Sequence, residues 1–405
     1  MRIAYVVNYF QPQLGYMEYY LPLALTKLGH EVCIFTSDRY YPVKDYYNSW
    51  GKILGKRIVG KGLRTERGVK VNRLACLFEF HSFCILGGLI PALEKFKPDV
   101  IQVNSIISNI SCWFIARSKE KLTNCLVCDE HVSQFNTSFV KNLWKRIYFT
   151  YFFPSFIKPT IIKEFDKLVA IGQDENIFLA NILGIERSQI QTIELGVDID
   201  LFKFNITNRT KIRKNLKIQE TDFVIFFSGY MRPSKKIHIL LEAVSRLYSE
   251  FSSIKLFLVG GGDIEYVKYL KNLSRNKNIE KCVFWLGYKE NQNIPQYISA
   301  ADIGCWPGDP AISVQEVISV GLPIILEKET ERTKSLLFYD NGFAVKVDDV
   351  DELVMALRVI IENPELRKIK GEKSRHLAEE HLSWTNIAQK YLNLYDSILS
   401  ENGNN

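Results

Sequence analysis

Residues 313–326 read Ser-Val-Gln-Glu-Val-Ile-Ser-Val-Gly-Leu-Pro-Ile-Ile-Leu, and this stretch predicts a short helix that stops just before a buried strand. Valine and isoleucine recur at helical spacing in its first half and give the helix an apolar side. Gly321 suits a left-handed C-terminal position, and Pro323 prevents the helix from continuing. The three aliphatic residues that follow are typical of a buried parallel strand, so the stretch indicates an α/β fold.

The start of this helix carries two polar residues, Ser313 and Glu316, which have two interpretations. A helix N-terminus presents unpaired N–H groups and a partial positive charge, so it could hold a phosphate. Glu316, one turn in, could then accept hydrogen bonds from both hydroxyls of a ribose. Ser-x-x-Glu is also a capping box, in which Ser313 caps the helix and Glu316 only ties back its start. Taken alone, the stretch favours the capping box.

The length and composition of the chain predict two α/β domains. Its 405 residues exceed one ordinary core, and its hydrophobic and charged fractions of 47% and 24% are typical of globular proteins. The opening apolar run is short and is broken at Asn8, and no run of about 18 apolar residues occurs, so neither a secretory signal nor a transmembrane helix is expected. The sequence therefore predicts a cytoplasmic location.

Cysteine usage fits the same compartment. The eight cysteines are scattered, and Cys125 and Cys128 form one CxxC inside an apparent strand without a second pair. This spacing disfavours a zinc or redox site, and reduced thiols are expected.

Charge is distributed unevenly along the chain. Residues 1–165 carry 22 Lys and Arg against 12 Asp and Glu, whereas the remainder carries 30 against 33. This excess predicts that the first half meets an anionic partner, although no nucleic acid is expected. Residues 141–165 are aromatic and basic and are interrupted by Pro154 and Pro159. They could lie peripherally on an anionic membrane surface, or equally form a packed helix pair within the domain.

The first half of the chain reads as an open βα sheet. A buried strand at residues 3–7, a helix ending at Gly29 and a second strand at residues 31–36 form a βαβ unit. Residues 38–68 are predicted to be an irregular aromatic and basic loop. Further strands are predicted at residues 70–74, 100–103, 125–129 and 167–171.

Two positions in this half follow the carboxyl ends of strands, where α/β folds bind ligands. Gly15 lies in the loop after the first strand, where a residue without a side chain lets a phosphate or sugar approach the backbone. His131 follows the strand at residues 125–129. The alternatives are that Gly15 forms a simple turn and that His131 is an ordinary surface residue.

A change of pattern near residues 194–198 marks a domain boundary, and a second βα series follows it. Its predicted strands are residues 223–228, 255–259, 282–286, 302–305 and 324–326. Its predicted helices are residues 236–251, 264–274, 294–300, 313–320, 350–361 and 365–380, and a last helix is predicted at residues 384–399.

Loops of the second series gather glycines and cations. The loop after its first strand carries Arg232 and Lys235, residues 260–262 after the second strand are all glycine, and Tyr288 follows the third. Because the carboxyl ends of parallel strands meet at one edge of a sheet, these loops are expected beside the start of the residue-313 helix. Such a set is typical of a nucleotide-diphosphate site, although a glycine triplet alone is often a tight turn.

Taken together, these motifs resemble those of family 4 glycosyltransferases, which are retaining enzymes of the GT-B fold. The resemblance runs nearly end to end and is carried by residues 15–18, 28–32, 194–198, 229–235, 240–243, 259–262, 286–288 and 316–323. The last segment is similar to the family's Glu-Ala-x-x-x-Gly-x-Pro element. The resemblance implies an α/β protein of two Rossmann-like, doubly wound domains that face each other across a cleft.

The same resemblance implies separate binding roles for the two domains. Residues 1–197 would bind the acceptor, and residues 198–382 would bind the nucleotide sugar. Residues 383–405 would form a helix that crosses back to the first domain, followed by a polar tail.

The resemblance also implies roles for individual side chains. Lys235 matches the lysine that binds the donor diphosphate, Glu316 matches the glutamate that holds the ribose, and His131 is similar in placement to a histidine near the donor sugar. Arg232 is expected to supply a second positive charge. The other residues expected at the donor site are Gly15, Tyr16, Gly229, Gly260, Tyr288, Asp309, Ile312, Ser313 and Val314. Metal-independent chemistry without a cofactor is implied, since the nucleotide-diphosphate sugar is itself the substrate.

Three positions depart from the family pattern. Tyr230 replaces the arginine of a Gly-Arg pair, and Tyr16 replaces the second glycine of the first loop. Gly308, with Asp309 beside it, stands where the family has its first glutamate, eight residues before Glu316. This last change puts the donor sugar in question.

The function expected from these observations is sugar transfer from a nucleotide-diphosphate sugar to a lipid-linked or polysaccharide acceptor in cell-surface glycan synthesis. A non-catalytic GT-B partner or glycan-binding subunit is the alternative; the change at Gly308 favours it, and retention of Lys235 and Glu316 opposes it. A dinucleotide-dependent oxidoreductase is disfavoured, because no GxGxxG follows the first strand.

Overall fold

A computed structural model describes residues 1–43, 45–48, 50–80, 83–107, 109–132, 148–310, 312–328 and 330–403. The chain divides into two compact units, one made of Met1–Leu195 with Trp384–Asn405 and the other of Gly196–Ser383. The chain leaves the first unit after Leu195, two residues before the predicted boundary at residue 197. It returns to that unit after Ser383, one residue after the predicted boundary at residue 382.

The first unit alternates strands and helices. Its strands are β1 (Arg2–Val6), β2 (Glu31–Ser37), β3 (Gly62–Glu66), β4 (Val69–Phe80), β5 (Phe83–Gly87), β6 (Val100–Asn104), β7 (Cys125–Glu130), β8 (Lys167–Ala170) and β9 (Ile190–Thr192). Its helices are α1 (Met17–Lys27), α2 (Gly51–Leu54), α3 (Leu89–Phe96), α4 (Ser111–Ala116), α5 (Lys119–Leu122), α6 (Lys158–Glu164) and α7 (Gln173–Ile177). Short 3₁₀ turns span Tyr46–Asn48 and Arg187–Gln189, and π-helical segments span Tyr148–Ile157 and Phe178–Ile182.

The sheet of this unit has the order β3-β4-β2-β1-β6-β7-β8-β9, with β5 paired to β4. Its strands run parallel except for β3 and β5, which are antiparallel to β4. Helices cover both faces, so the central strands carry continuous apolar runs that are completely buried, such as residues 3–6 of β1. The strand order reverses between β1 and β6, and this reversal is where an open α/β sheet leaves a crevice for ligands.

Two expectations for residues 38–80 were wrong. The predicted irregular loop contains α2 and β3, and the strand predicted at residues 70–74 continues to Phe80 and forms a hairpin with β5. A bulge between Cys76 and Phe78 breaks the alternation of buried and exposed residues, and it hid the longer strand in the sequence pattern.

The second unit is a βα series. Its strands are β10 (Phe223–Ser228), β11 (Ile254–Val259), β12 (Val283–Gly287), β13 (Ile303–Trp306), β14 (Ile324–Glu327) and β15 (Gly342–Val345). Its helices are α8 (Ile206–Asn215), α9 (Ile237–Tyr248), α10 (Ile264–Asn276), α11 (Ile294–Ser299), α12 (Ser313–Val320), α13 (Glu331–Leu336), α14 (Val350–Glu362) and α15 (Pro364–Leu377). Two 3₁₀ turns, Pro233–Lys235 and Asn291–Asn293, and a π-helical segment, Ala378–Leu382, complete it.

The sheet of the second unit is parallel and has the order β12-β11-β10-β13-β14-β15. The helix predicted at residues 313–320 and the strand after it are confirmed as α12 and β14. Gly321 adopts a left-handed conformation with φ of 87°, which ends α12 where the sequence predicted. The order reverses between β10 and β13, and the loops after such a pair of strands are where open α/β sheets leave a crevice for ligands.

The polar segment at residues 205–213 was not expected to be helical, but it forms most of α8. The amide N–H of Asn208 donates to the Asn205 side chain, which caps the helix. Arg209 and Arg213 both donate to the Asp302 carboxylate. Because polar contacts rather than an apolar stripe hold α8 in place, its sequence lacks the helical periodicity that reveals the other helices.

The last helix, α16 (Trp384–Gly403), packs into the first unit. Trp384 stacks on Tyr20 of α1 with ring centroids 5.7 Å apart. Tyr391 and Tyr395 are completely buried, and the Tyr395 hydroxyl donates to Gln102 of β6 at 3.1 Å. One face of α16 therefore completes the core on the β1 side of the first sheet.

Within the described residues, no helix is both long enough and apolar enough to cross a lipid bilayer.

Substitutions at Tyr391 test the packing of α16. Its side chain is completely buried, and its hydroxyl has no hydrogen-bond partner among the described residues. We expect Tyr391→Ala to lower the free energy of unfolding by about 3–5 kcal/mol, as large aromatic truncations do. Tyr391→Phe should change it by less than about 1 kcal/mol or raise it, since it removes only a buried, unpaired hydroxyl. Urea denaturation of both variants measures the difference; equal losses would show that the ring does not anchor the helix.

Candidate functional site

The loops that follow β10, β11 and β12 are joined by backbone hydrogen bonds at the carboxyl edge of the second sheet. The N–H of Gly229 donates to Val259 at 3.1 Å, and the N–H of Gly260 donates to Gly287 at 2.9 Å. The N–H of Met231 donates to Gly261 at 2.8 Å. The expected convergence of these loops is therefore confirmed.

Glycine is required where these loops touch. A Cβ atom on Gly260 would lie 2.2 Å from the carbonyl oxygen of Gly229, and both residues have positive φ angles. No side chain fits this contact, and L-residues disfavour both backbone conformations. The two predicted donor-site glycines therefore shape the edge on which a ligand would rest.

An ion-pair cluster around the buried Lys235 lies at the strand-order reversal of the second unit. The Nζ atom of Lys235 donates to the Asp309 carboxylate and to its backbone carbonyl oxygen, both at 2.9 Å. Arg232 donates to the same carboxylate oxygen at 2.8 Å. Lys235 comes from the 3₁₀ turn after β10, and Asp309 comes from the loop after β13. The structure thus brings three of the predicted site residues into direct contact.

The electrostatics of this cluster follow from its burial. Burial lowers the pKa of Lys235, although the Asp309 carboxylate works in the opposite direction. Burial alone would raise the pKa of Asp309, but Lys235 and Arg232 outweigh it and hold that pKa below its ordinary value. The positive charge of Arg332 also acts on Lys235. The cluster therefore holds more positive than negative charge, around a lysine that is shielded from water.

The capping expectation for Ser313 was wrong. Ile312 occupies the cap position, and Ser313 is the first residue of α12. The Ser313 hydroxyl donates to the carbonyl oxygen of Ser228 at 2.9 Å, and the Trp306 indole donates to the same oxygen at 3.0 Å. Ser313 thereby joins the start of α12 to the end of β10, and no capping box forms.

Without the capping box, Glu316 is available for another role. One of its carboxylate oxygens accepts from Asn291 at 3.2 Å, and the other is buried without a hydrogen-bond partner among the described residues. Burial raises the pKa of Glu316 to about 7, against the opposing effect of Asn291. The pKa of Tyr288 is raised mainly by burial, next by the charge of Glu290 and then by the charge of Glu316. A carboxylate with a vacant acceptor can receive hydroxyl donors from a ligand.

Two further predicted donor-site residues flank the start of α12. Ile312 is exposed, whereas the Val314 side chain is completely buried in the core. Val314 can therefore contact a ligand only through its backbone, and its side chain has a packing role.

The positions that depart from the family pattern also have physical explanations. A Cβ atom on Gly308 would lie 2.4 Å from the carbonyl oxygen of Ser234 and 2.6 Å from Cγ of Lys236. A glutamate at residue 308 is therefore incompatible with this local geometry. The exposed Tyr230 donates through its hydroxyl to Asp263 at 2.8 Å and points its polar end at the glycine-rich loop.

His131 belongs to the first unit and is held by a buried carboxylate. Its Nε2 atom lies 2.9 Å from Asp129, which is completely buried. Asp129 also accepts from Tyr5, Gln102 and Asn104, at 2.9, 2.8 and 2.8 Å. Three side chains from the neighbouring strands β1 and β6 therefore orient one carboxylate, and that carboxylate orients His131.

The charge state of His131 follows from these contacts. Burial works to lower the pKa of His131, but the hydrogen bond and charge of Asp129, with the charges of Glu18 and Glu130, raise it to about 9. Because the folded-state pKa lies above the ordinary value, the resulting stabilisation is fully present below about pH 6.5 and is lost as the pH rises through about 9. His131 is thus a cation at neutral pH.

Tyr16 lines a cavity of about 250 Å³ in the first unit. Among the described residues, its lining is Val7, Asn8, Tyr9, Gln11, Tyr16, Glu18, Tyr41, Trp50 and Asn104. Gly15, with a φ angle of 72°, makes the turn that leads to this wall. Sequence reasoning did not name Glu18 or Asn104 as site residues, although Glu18 lies within the motif at residues 15–18 and Asn104 is a polar residue at the end of β6.

The site residues thus fall into two groups. The second unit brings together Lys235, Arg232, Asp309, Ser313, Gly229, Gly260, Glu316 and Tyr288 around its sheet edge. The first unit holds Gly15, Tyr16 and His131 at its own sheet edge. Within the part of the chain that the structure describes, no group of three or more His, Cys, Asp or Glu side chains could hold a metal ion.

The aromatic and basic stretch predicted for membrane contact is only partly described, because residues 141–147 lie outside the described residues. In the remainder, Phe153 and Ile157 are buried in the first unit, whereas Tyr151 and Phe156 are exposed. The membrane-surface hypothesis stays a prediction.

Comparison with known proteins identifies two family models along the chain. "Glycosyltransferase Family 4" matches residues 19–201, and "Glycosyl transferases group 1" matches residues 208–377. The first match lies in the first unit except for its last residues, and the second lies within the second unit.

Relatives and solved structures span nearly the whole chain. Spore coat protein SA of Bacillus subtilis is 22% identical over 401 residues, covering 94% of this chain and 93% of the relative. The crystal structure of Anabaena HepE in complex with UDP matches with a TM-score of 0.73 at 17% identity, covering 98% and 100% of the two chains. Sucrose-phosphate synthase from Thermosynechococcus elongatus matches with a TM-score of 0.74 at 16% identity, covering 99% of each.

The Asp129–His131 contact generates a pH prediction. We expect NMR titration to give His131 a pKa near 9. In Asp129→Asn the pKa should fall to or below the ordinary value of about 6.5, because the remaining burial disfavours the cation. Asp351→Asn, which removes an exposed carboxylate of the other unit, is the matched control and should leave the His131 titration unchanged. An unchanged pKa in Asp129→Asn would contradict the assignment.

Proposed function

Because this chain belongs to the family 4 glycosyltransferases and has the GT-B fold, we propose that it moves a sugar from a nucleotide-diphosphate sugar to a lipid-linked or polysaccharide acceptor. The proposal rests on one observation above all. A buried lysine and a partly buried arginine share a carboxylate at the strand-order reversal of the second unit, in the loop that leads from β13 to α12. This is the arrangement that a diphosphate would use.

In this proposal the diphosphate binds Lys235 and Arg232. In the same proposal the backbone N–H groups of the first turn of α12 also face the diphosphate, and the positive charge of Arg332, which acts on Lys235, adds to the attraction. These groups neutralise a diphosphate without a metal ion. The structural likeness to HepE, whose crystal structure contains UDP, supports a uridine nucleotide as the first ligand to test.

The ribose in this proposal binds Glu316. Its unpaired carboxylate oxygen and the oxygen that faces Asn291 together can accept hydrogen bonds from two neighbouring hydroxyls. Such bonds would stabilise the carboxylate form and lower the pKa that burial raises to about 7. Binding the ribose therefore also satisfies a buried acceptor.

The proposed transfer proceeds with retention at the anomeric carbon. The bond from that carbon to the diphosphate oxygen breaks, and the acceptor hydroxyl oxygen forms a bond on the same face. The hydroxyl proton passes to an oxygen of the leaving diphosphate. Negative charge builds on the leaving group, and Lys235 and Arg232 stabilise that charge as it develops.

A non-catalytic GT-B partner is the second candidate, and Gly308 is the observation that favours it. The backbone around Gly308 is so close to Ser234 that no glutamate fits there. In the leading proposal Asp309 takes over contact with the donor, since its carboxylate lies beside the cations. The two candidates differ in turnover, because only an enzyme hydrolyses or transfers a bound donor.

The diphosphate assignment predicts metal-free nucleotide binding. UDP in the presence of EDTA should raise the melting temperature, because a ligand at about one hundred times its dissociation constant stabilises the folded state by about 2.7 kcal/mol. Lys235→Ala should remove most of this shift. It should also slow turnover of UDP-glucose, because about 2–4 kcal/mol of transition-state stabilisation is lost.

Lys281→Ala is the matched control, since Lys281 is exposed before β12, at the end of the strand away from the site loops. It should behave as the unmodified chain. A requirement for Mg²⁺ or Mn²⁺ would contradict metal independence, and a full UDP shift in Lys235→Ala would contradict the diphosphate site. The non-catalytic candidate would be favoured by two results together. The protein would bind UDP but neither hydrolyse nor transfer the sugar of any donor in a panel of nucleotide sugars, and Glu316→Ala would keep full cellular function.

The shared carboxylate generates a separate prediction. Asp309 pairs with the cations that a diphosphate would contact, so Asp309→Asn should strengthen UDP binding about threefold to tenfold. This corresponds to ~0.6–1.4 kcal/mol of binding free energy. The ranking of donor sugars should change as well. Asp348→Asn removes the partner of the neighbouring Lys236 and should have neither effect. Calorimetry measures both variants; weaker UDP binding in Asp309→Asn would show that the carboxylate supports the anion site instead of competing with it.

A further inference from the structure

Two cysteine side chains meet across the β4–β5 hairpin of the first unit. The Sγ atom of Cys84 donates to the Sγ atom of Cys76 at 3.0 Å, and both residues are free thiols. A disulfide bond is about 2.05 Å long, so the two sulfur atoms need to approach by only roughly 1 Å to form one. The proposed sugar transfer makes no use of this pair.

The register of the hairpin explains why the two thiols meet. Cys76 of β4 lies opposite Leu86 of β5, and Cys84 of β5 lies opposite Glu79 of β4. Because residues two apart on a strand share a face, Cys76 and Cys84 are diagonal neighbours on one face of the hairpin. Diagonal neighbours in a regular antiparallel pair are about 7–8 Å apart, which is beyond the reach of a disulfide. The bulge between Cys76 and Phe78 bends and twists β4 here, and it accounts for the closer approach.

The two thiols differ in their access to solvent. Cys76 is partly exposed, whereas Cys84 is completely buried. Burial is the main cause of a raised pKa of Cys84, the hydrogen bond and charge of Cys76 and the charge of Glu79 add to it, and the Arg39 cation works against it. Cys84 therefore keeps its proton and donates it to the sulfur of Cys76. A dissolved oxidant would reach Cys76 first.

Charged groups lie close to Cys76. Its backbone N–H donates to the Asp38 carboxylate at 3.4 Å, and Arg39 pairs with the same carboxylate oxygen at 2.9 Å. Burial works to lower the pKa of Arg39, but the Asp38 hydrogen bond raises it, and so do the charges of Cys76, Asp38 and Glu79. The Arg39 guanidinium thus attracts an anionic sulfur at Cys76. The thiolate is the form of cysteine that attacks an oxidant.

The thiol pair also adjoins one wall of the cavity in the first unit. Glu79, which lies opposite Cys84, accepts from the Tyr9 hydroxyl at 2.9 Å and pairs with Arg57. Burial and the Glu79 hydrogen bond are the main causes of a raised pKa of Tyr9, and the charges of Cys84, Glu79 and Cys76 add to them. Tyr9 lines the cavity. A covalent bond between the cysteines would therefore form in the part of the hairpin that holds Tyr9.

We propose that Cys76 and Cys84 form a reversible disulfide in the presence of hydrogen peroxide, and that this bond stiffens the hairpin beside Tyr9. The Cys76 sulfur attacks one peroxide oxygen, the O–O bond breaks, and the departing hydroxide takes the proton of the Cys76 thiol. This step leaves a sulfenic acid and one water. The Cys84 sulfur then attacks the Cys76 sulfur and displaces hydroxide, which takes the Cys84 proton and leaves as a second water.

The electrons balance over the two steps, because two thiols are oxidised to one disulfide and one peroxide is reduced to two waters. A dithiol reductant reverses the reaction by thiol–disulfide exchange, in which its own two thiols become a disulfide. The modification is independent of the proposed transferase activity.

Mass spectrometry of the full chain after peroxide treatment tests the proposal. Trypsin cleaves after Arg73 and Lys95 and releases residues 74–95 as one peptide, whose two cysteines are Cys76 and Cys84. The chain is treated with a small excess of hydrogen peroxide, and its remaining thiols are then alkylated in denaturant. This peptide should carry no alkyl group and should weigh two hydrogen atoms less than its reduced form. Dithiothreitol before alkylation should restore two alkylated cysteines.

Single variants separate the roles of the two thiols. In Cys84→Ser, Cys76 should stop at the sulfenic acid and react with dimedone. In Cys76→Ser, oxidation of the buried Cys84 should be slower by roughly tenfold or more, because the exposed thiol that reacts first is gone. Cys112 and Cys128 are the matched control within the same chain, since they are also hydrogen-bonded to each other but are both buried. They should remain reduced.

Hydrogen exchange measures the stiffening of the hairpin. The amides of residues 75–80 and 83–87 should exchange more slowly in the oxidised chain than in the reduced chain, and peroxide should not slow them in Cys76→Ser. The proposal is overturned if the peptide keeps two alkylatable thiols, if Cys112 and Cys128 oxidise as fast as this pair, or if the disulfide forms without slowing exchange in the hairpin.

Discussion

A buried cation needs an anion, and at Lys235 this requirement organises the edge of the second sheet. Its side chain is 8% exposed, too little for water to solvate the charge. The Asp309 carboxylate supplies the anion, and it reaches Lys235 because Gly308 lets the loop after β13 approach the turn after β10. The ion pair thus spans the strand-order reversal and fixes two loops that are separated by more than 70 residues in the sequence.

The first unit meets a related requirement with the opposite sign. Asp129 is completely buried, and its charge is balanced by the His131 cation and by donors from Tyr5, Gln102 and Asn104. Gln102 in turn accepts from Tyr395, so α16 stabilises the network that orients His131. A helix from the end of the chain is therefore coupled to a side chain at the sheet edge through a continuous set of buried hydrogen bonds.

The sequence predicted the parts of the molecule that depend on local chemistry. Gly321 and Pro323 end α12 where their backbone preferences require, and apolar runs mark the buried parallel strands. It did not predict what depends on partners distant in the chain. Ser313 looked like a helix cap because its alternative acceptor, Ser228, lies 85 residues earlier. Helix α8 has no apolar periodicity, since Asp302 holds two of its arginines.

The same distinction explains the candidate sites. Lys235 and Glu316 were identified by motif, but the anion on Lys235 and the vacant oxygen on Glu316 are properties of the assembled edge. In the free protein Asp309 already pairs with both cations to which the proposed diphosphate would bind. Binding would then exchange one anion for another beside Lys235 and Arg232, which avoids the cost of leaving the buried lysine without a partner. A site arranged in this way is held in its charge-binding geometry before the donor arrives, and preorganisation of this kind is the main source of electrostatic stabilisation in a water-poor site.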